Sequence, residues 1–398
     1  MKQILYFMPK MSLKNNAGNV TRVISLLQYF KSREFHVDFF GIKNWNIKWE
    51  DDLPQKMLDT KLVDRVFWEE LKPPKTNFIK RLFTYKIPEY IKRRYYGGSP
   101  IFRSFCTFYL RKTFEKVLQE NRYDYIVINY VLWVNLIKYS KNLKGAKVIV
   151  DTHDFLTIHA ARDPKKKKHI GKYFQTEMEN LSFFDEVWAV SIDEMYIFTQ
   201  FLHNTKVRLV PNMPLFVLNK DGEYNGKEKE YDIIYVASEN PWNQMSSKWF
   251  FADIYPLLPQ NLKICVVGKI NEYIKEDYPN VEKIHFAKDL GEMYAKSRIA
   301  ICPMLEGTGI KLKVLEALSF GLPVVCTQRG IDGLPNKLNN GCLLSNTAEE
   351  FAGNIMKLIS DSRLYEEQSK LGYDLFKIYF NPEVRYKQLD EIFDVKED

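Results

Sequence analysis

The sequence predicts an α/β protein with parallel sheets, organised as two domains. Three observations support this. First, residues 298–327 run strand, glycine turn, helix, strand. Residues 298–302 form a short β-branched apolar run, and Glu306-Gly307-Thr308-Gly309 a turn. Leu312, Leu315 and Leu318 then line one face of a helix expected from Ile310 to Gly321, and residues 322–327 are apolar again. Second, the N-terminus opens in a related way, as strand 4–7, loop 9–17, helix and strand 37–40. Third, 398 residues with 45% hydrophobic content suit two cores better than one.

In chain order, the first helix opens at Gly18-Asn19 and carries Val20, Val23, Ile24, Leu27 and Phe30 at helical spacing. The strand before it is not followed by G-x-G-x-x-G, which argues against a dinucleotide cofactor. Residues 72–112 hold eleven Lys or Arg (Lys72, Lys75, Lys80, Arg81, Lys86, Lys92, Arg93, Arg94, Arg103, Arg111, Lys112) against one acid, Glu89, with Phe78, Phe83, Tyr85, Tyr90, Tyr95 and Tyr96 interleaved. Such a stretch fits an anionic membrane surface, or equally a solvated helical hairpin; no nucleic-acid fold signature accompanies it.

Strands follow at 123–128 and 146–151, the second running into Thr152-His153-Asp154. A histidine just past the carboxyl end of a parallel strand stands where α/β ligands bind. The plainer alternative is a helix cap at Asp154 beside a bystander histidine. The run Lys165 to Lys168 reads as an exposed loop, and further strands fall at 187–190 and 207–210. Residues 212–230 are polar and suit an interdomain linker. Strands at 232–237, 262–267 and 281–287 open the second half, and helices at 348–359, 363–378 and 382–393 close the chain.

Five scattered cysteines, without C-x-x-C spacing, read as thiols of a reducing compartment. The apolar stretch 4–8 is too short for a signal peptide, and no run reaches the ~18 apolar residues of a membrane span. The expectation is a cytoplasmic protein, with residues 72–112 available to the inner face of the membrane.

The chemistry concentrates after Gly309. Backbone N–H groups of the turn and helix start, together with the helix dipole, favour an anion there. Lys311 and Lys313 add full charges at the same end. Lysines in a first turn oppose the dipole, so structure alone would not select them. Glu316 lies off the apolar stripe, where a carboxylate can accept hydrogen bonds from two adjacent hydroxyls such as those of a ribose. A diphosphate with its ribose fits this set, whereas a solvated Lys313–Glu316 pair is the ordinary alternative.

The string G-T-G-I-K-L-K-V-L-E-A-L-S-F-G-L-P-V-V-C-T-x-x-G-x-x-G-L resembles the donor-site signature of retaining GT-B glycosyltransferases of the family 4 type, also called glycosyl transferases group 1. The resemblance implies a GT-B fold, two Rossmann-like domains facing each other across a cleft. An acceptor-side domain would span 1–213, with the helix at 380–398 packing back on it, and a nucleotide-sugar domain 214–379. It implies a hexosyltransferase-type enzyme acting on a UDP- or GDP-linked sugar, with no cofactor. The acceptor would be a glycan or a lipid-linked hydroxyl, in cell-surface polysaccharide or glycoconjugate synthesis.

By the same resemblance, Gly309, Lys311 and Lys313 hold the diphosphate, with Thr308, Ile310 and Leu312 alongside, and Glu316 holds the ribose. Gly18 lies near the sugar phosphates and His153 touches the donor sugar or acceptor. Asn240 and Lys248 belong to the first loop and helix of the second domain, which border the diphosphate. Thr308 departs from the pattern, since many members carry a glutamate there. The absence of an Asp-x-Asp pair points to a metal-independent reaction, in which Lys311 and Lys313 stabilise the leaving diphosphate. Thr308 and the lack of an arginine near Lys248 keep two rivals open: a non-catalytic nucleotide- or glycan-binding subunit, and a nucleotide-sugar 2-epimerase.

Overall fold

The computed structural model describes residues 1–11, 13, 18–43, 52–75, 77–95, 105–213, 226–307 and 309–395, the side chains of 92–95 excepted. The chain divides into two compact units, Met1–Val210 and Pro211–Asp398. The polar linker expected at 212–230 falls largely outside the described residues.

In the first unit, seven strands form one parallel sheet among the described residues: β1 (Gln3–Met8), β2 (His36–Lys43), β3 (Arg65–Glu70), β4 (Tyr125–Asn129), β5 (Lys147–Asp151), β6 (Glu186–Ala189) and β7 (Lys206–Leu209). Their order is β3-β2-β1-β4-β5-β6-β7. Both faces of such a sheet are covered, which is why Ile4, Leu5, Tyr6, Phe7 and Met8 are all buried. Phe7 pairs in register with Phe40 on one side and Ile128 on the other. The order reverses between β1 and β4, and the crevice outside the carboxyl ends of strands at such a reversal is the usual ligand position.

The second unit repeats the plan with six strands among the described residues: β8 (Tyr231–Val236), β9 (Ile264–Val267), β10 (Val281–Ile284), β11 (Ser297–Cys302), β12 (Val324–Cys326) and β13 (Cys342–Leu344). Their order is β10-β9-β8-β11-β12-β13, parallel throughout. Alternate residues serve opposite faces. Ile234, Cys265, Ala300, Cys302 and Val324 pack against Leu315 and Leu318 of the Leu312–Ser319 helix and Leu375 and Phe376 of the Ser362–Tyr379 helix. Ile233, Tyr235, Val266, Ile299 and Ile301 pack against Phe250, Phe351, Ile355 and Leu358. The chain thus has an α/β fold of two parallel-sheet units. The final helix, Pro382–Ile392, is counted with the second unit and packs on the Ser362–Tyr379 helix.

The expected helix from Ile310 begins instead at Leu312. Gly307 (φ 112°) and Gly309 (φ 69°) carry the turn in the left-handed region, and Lys311 stays extended at φ −90°, ψ 104°. Two strands escaped the sequence reading. β3 lies at a sheet edge with charged residues at both ends, and β13 has three residues. Cys106, Cys265, Cys302 and Cys326 are buried free thiols, and Cys342 is half-buried. Among the described residues no helix is long and apolar enough to cross a membrane.

Candidate functional site

The order of the second sheet reverses between β8 and β11, and the residues singled out around Lys311 follow β11. Gly309 turns the chain with open space where a Cβ would stand. Lys311 is the N-terminal boundary residue of the Leu312–Ser319 helix and provides no side-chain cap. The first N–H groups of a helix have no partner within it, so these amides are offered outward with the positive end of the dipole.

Lys311 is buried, and its Nζ donates to the Gly309 carbonyl at 2.7 Å. Burial pushes its pKa down to about 8, against the raising influence of Asp332. Lys313 Nζ donates to Asn243 Oδ1 at 3.0 Å and stands 5.6 Å from the Tyr235 ring centroid. Lys313 and Glu316 keep part of their surface open to solvent, yet their charged ends lie deep enough for desolvation to act. It lowers the Lys313 pKa and pushes the Glu316 carboxyl up to about 7. Among the described residues no carboxylate lies within ion-pair distance of Lys313, and it is held by a neutral amide oxygen and a ring face. The simple Lys313–Glu316 pair expected of an ordinary helix surface is not made. Glu316 Oε2 instead accepts from the Tyr294 hydroxyl at 2.9 Å.

Asn243 fixes this arrangement. It sits on the Pro241–Trp249 helix, which follows β8, and its Nδ2 donates to Ser238 O (3.0 Å) and Ser238 Oγ (3.1 Å). Those two donations orient the amide so that Oδ1 faces Lys313. Asn240 caps the same helix, accepting from the Asn243 N–H at 2.9 Å. Lys248 is exposed in the last turn of that helix, about one and a half turns from Asn243. Gly268 (φ 116°), the residue after β9, passes so close to the residue that follows β8 that a Cβ would meet Ala237 O at 2.2 Å. Ile310 is buried and Leu312 half-buried in the adjoining core, so they present backbone rather than side chain. Thr308 lies outside the described residues.

The first unit gathers a separate polar group at its own β1/β4 reversal. Asn129, the last residue of β4, donates from Nδ2 to Phe7 O at 2.7 Å. Its Oδ1 therefore faces away from that carbonyl and meets His153 Nε2 at 2.5 Å and the Tyr6 hydroxyl at 3.3 Å. An amide oxygen only accepts, so His153 carries its proton on Nε2 and Nδ1 is left as an acceptor. Burial lowers the His153 pKa, which keeps the ring neutral, although Asp151 at 3.7 Å works the other way. The ring stacks on Tyr130 with centroids 4.4 Å apart. Both residues are left-handed, at φ 59° and 68°, a strain that persists only where the surroundings impose it. Asp151 is itself clamped by Arg22 Nε at 2.7 and 2.9 Å.

The Asp154 cap is not formed. The Leu156–Arg162 helix is capped by Glu177, whose carboxylate accepts from the N–H groups of Leu156 (2.9 Å) and Thr157 (2.8 Å). Gly18 is the first residue of the Gly18–Ser32 helix, and the next residue, Asn19, donates to the Tyr130 hydroxyl at 3.2 Å. Sequence reasoning missed Asn243, Tyr235, Tyr294, Asn129, Tyr130 and Arg22. Asn243 was recoverable from its spacing of three behind the Asn240 cap; the others act between elements far apart in the sequence and leave no local pattern. Among the described residues no group of three or more His, Cys, Asp or Glu is placed to hold a metal ion.

Residues 230–361 match the family model for glycosyl transferases group 1. No curated protein matches the chain. Among solved structures, it is similar to HepE of Anabaena in complex with UDP and glucose (15% identity, TM-score 0.66, 100% of both chains). It also resembles TarM of S. aureus in complex with fondaparinux, alpha-GlcNAc-glycerol and UDP (12% identity, TM-score 0.67, 99% of this chain and 100% of that one). A third likeness is to sucrose-phosphate synthase from Thermosynechococcus elongatus (14% identity, TM-score 0.64, 99% and 98%). These likenesses identify the two-unit α/β architecture as GT-B.

Proposed function

We propose that the chain is a glycosyltransferase that moves a sugar from a nucleotide-sugar donor to an acceptor hydroxyl, with retention at the anomeric carbon. The observation that carries this is the placement of Lys311 and Lys313. Two desolvated ammonium groups stand at the β8/β11 reversal beside uncapped helix amides; Lys311 donates to the Gly309 carbonyl, and Lys313, with no carboxylate within ion-pair distance among the described residues, donates to the neutral Asn243 Oδ1. Such a group is completed by an anion. Glu316, four residues after the start of the helix, supplies the carboxylate for a ribose. The family match over this region, and the UDP held by the HepE and TarM structures, support the reading.

In the reaction, the bond between the anomeric carbon and the diphosphate oxygen breaks, and the acceptor oxygen bonds to that carbon on the same face. The acceptor proton passes to the departing phosphate oxygen. Lys311, Lys313 and the amides at Gly309 to Leu312 stabilise the charge that develops on the diphosphate. His153 offers Nδ1 to a sugar hydroxyl. The donor is UDP- or GDP-linked, the acceptor a glycan or lipid-linked hydroxyl of a cell-surface polymer or glycoconjugate, and no metal is required.

The test is incubation of the purified chain with UDP- and GDP-sugars, with and without chelator, following nucleoside diphosphate release. Transfer or slow donor hydrolysis insensitive to chelator supports the assignment. Nucleotide binding without turnover would instead indicate a non-catalytic subunit, and sugar isomerisation without acceptor an epimerase.

A further inference from the structure

A continuous helical segment runs through residues 78–95, as an α-turn at Phe78–Arg81, a π-turn at Leu82–Lys86 and an α-helix at Ile87–Tyr95. Its described part inverts the usual amphipathic pattern. Ile79, Phe83, Ile87 and Ile91, spaced four apart, and Tyr90 beside them are all exposed; Ile79 is 70% and Phe83 63% accessible. Leu82 and Tyr85 are instead half-buried. A strict spacing of four drifts around an α-helix of about 3.6 residues per turn, and the wider π-turn in the middle holds the row on one face.

Cations rim this apolar row. Lys72, Lys75, Lys80 and Lys86 are exposed and Arg81 is half-buried, with Glu89 the sole acid between residues 72 and 91. Lys86 lies 5.3 Å from the Phe78 ring centroid and Arg81 6.0 Å from that of Tyr85, so charge and apolar surface share one patch. We infer that the face formed by Ile79, Phe83, Ile87, Tyr90 and Ile91 docks on an anionic lipid bilayer, lying in the interface with its apolar row among the acyl chains. Three of the five residues are aliphatic, which suits acyl chains and not the stacking of bases. A second copy would bring the same basic rim against itself, in a chain of net charge +8. The inference stands on this surface alone and does not depend on the donor site.

The test is flotation of the full chain with vesicles of phosphatidylcholine alone or phosphatidylcholine with phosphatidylglycerol, beside sedimentation of the free protein. Binding to the anionic vesicles is expected to be roughly tenfold tighter or more, and to fall with added salt. Ile79→Asp with Phe83→Asp abolishes it, while Phe286→Asp on the second unit does not, and all variants keep the wild-type melting temperature and UDP affinity. Equal binding to both vesicle types, or flotation of the double variant like wild type, would overturn the inference. So would concentration-dependent self-association, or RNA binding without vesicle binding, that the double variant removes.

Discussion

Replacing Lys313 with methionine separates a binding role from a structural one, because the two make opposite predictions about stability. The side chain keeps its length and apolar stem while losing the ammonium. In the unliganded protein that ammonium is held by Asn243 Oδ1 at 3.0 Å and by the Tyr235 face, with desolvation working against its charge. Removing it forfeits a charge-assisted hydrogen bond of about 1.5–3 kcal/mol and relieves a desolvation cost of several kcal/mol. The net expectation is a gain of about 1 kcal/mol, which for a unit of this size raises the melting temperature by about 2–4 °C. Ligand binding moves the other way. A charge-assisted bond to a phosphate contributes about 1.5–3 kcal/mol, so the affinity for UDP falls roughly 10- to 150-fold. Wild type at UDP about 100-fold above its Kd gains about 2.7 kcal/mol, and the variant at that concentration gains about 0.3–1.4 kcal/mol. Differential scanning fluorimetry with and without UDP reads both effects. A variant that melts lower than wild type yet shows the full UDP shift would refute the reasoning.

Three further outcomes follow from the same geometry. Nucleotide affinity should be highest between pH about 7 and about 8: Lys311 loses its proton as pH rises through about 8, and Glu316 gains one as pH falls through about 7. Calorimetry should show each limb approaching tenfold per pH unit, and a flat profile from pH 6 to 9 would contradict the assignment. Glu316→Gln should erase most of the preference for UDP over 2′-deoxy-UDP, measured by competition binding, with UDP itself still bound. Asn129→Leu should release His153 from its Nε2-protonated tautomer, visible in the ring ¹⁵N shifts, whereas Asn129→Asp, which still accepts, should retain it and raise the ring's pKa. The leucine variant also strands Phe7 O and the Tyr6 hydroxyl, at a cost of about 1–3 kcal/mol.

Strands whose two faces are both buried left continuous apolar runs, so β1, β5, β8 and β11 were readable to within a residue or two. β3 begins at Arg65 and ends in Glu69 and Glu70, as an edge strand tolerates, and carried no such signal. The glycine turn, both lysines and Glu316 were legible because they are consecutive and their chemistry is local. What orients them was not. Asn243 reaches Lys313 from 70 positions away, Tyr294 reaches Glu316 from 22, and Asn129 sets the His153 tautomer only because Phe7 O occupies its amide nitrogen. Partnerships of this kind belong to the sheet order, which no window of sequence contains.

A crystal structure of the chain with UDP bears most directly on the central claim, that Lys311 and Lys313 are held ready for a diphosphate. The account predicts phosphate oxygens about 3 Å from Lys313 Nζ, with the amides at Gly309 to Leu312 turned to the same group and the ribose hydroxyls on Glu316. UDP bound elsewhere, with Lys313 still on Asn243 alone, would contradict it.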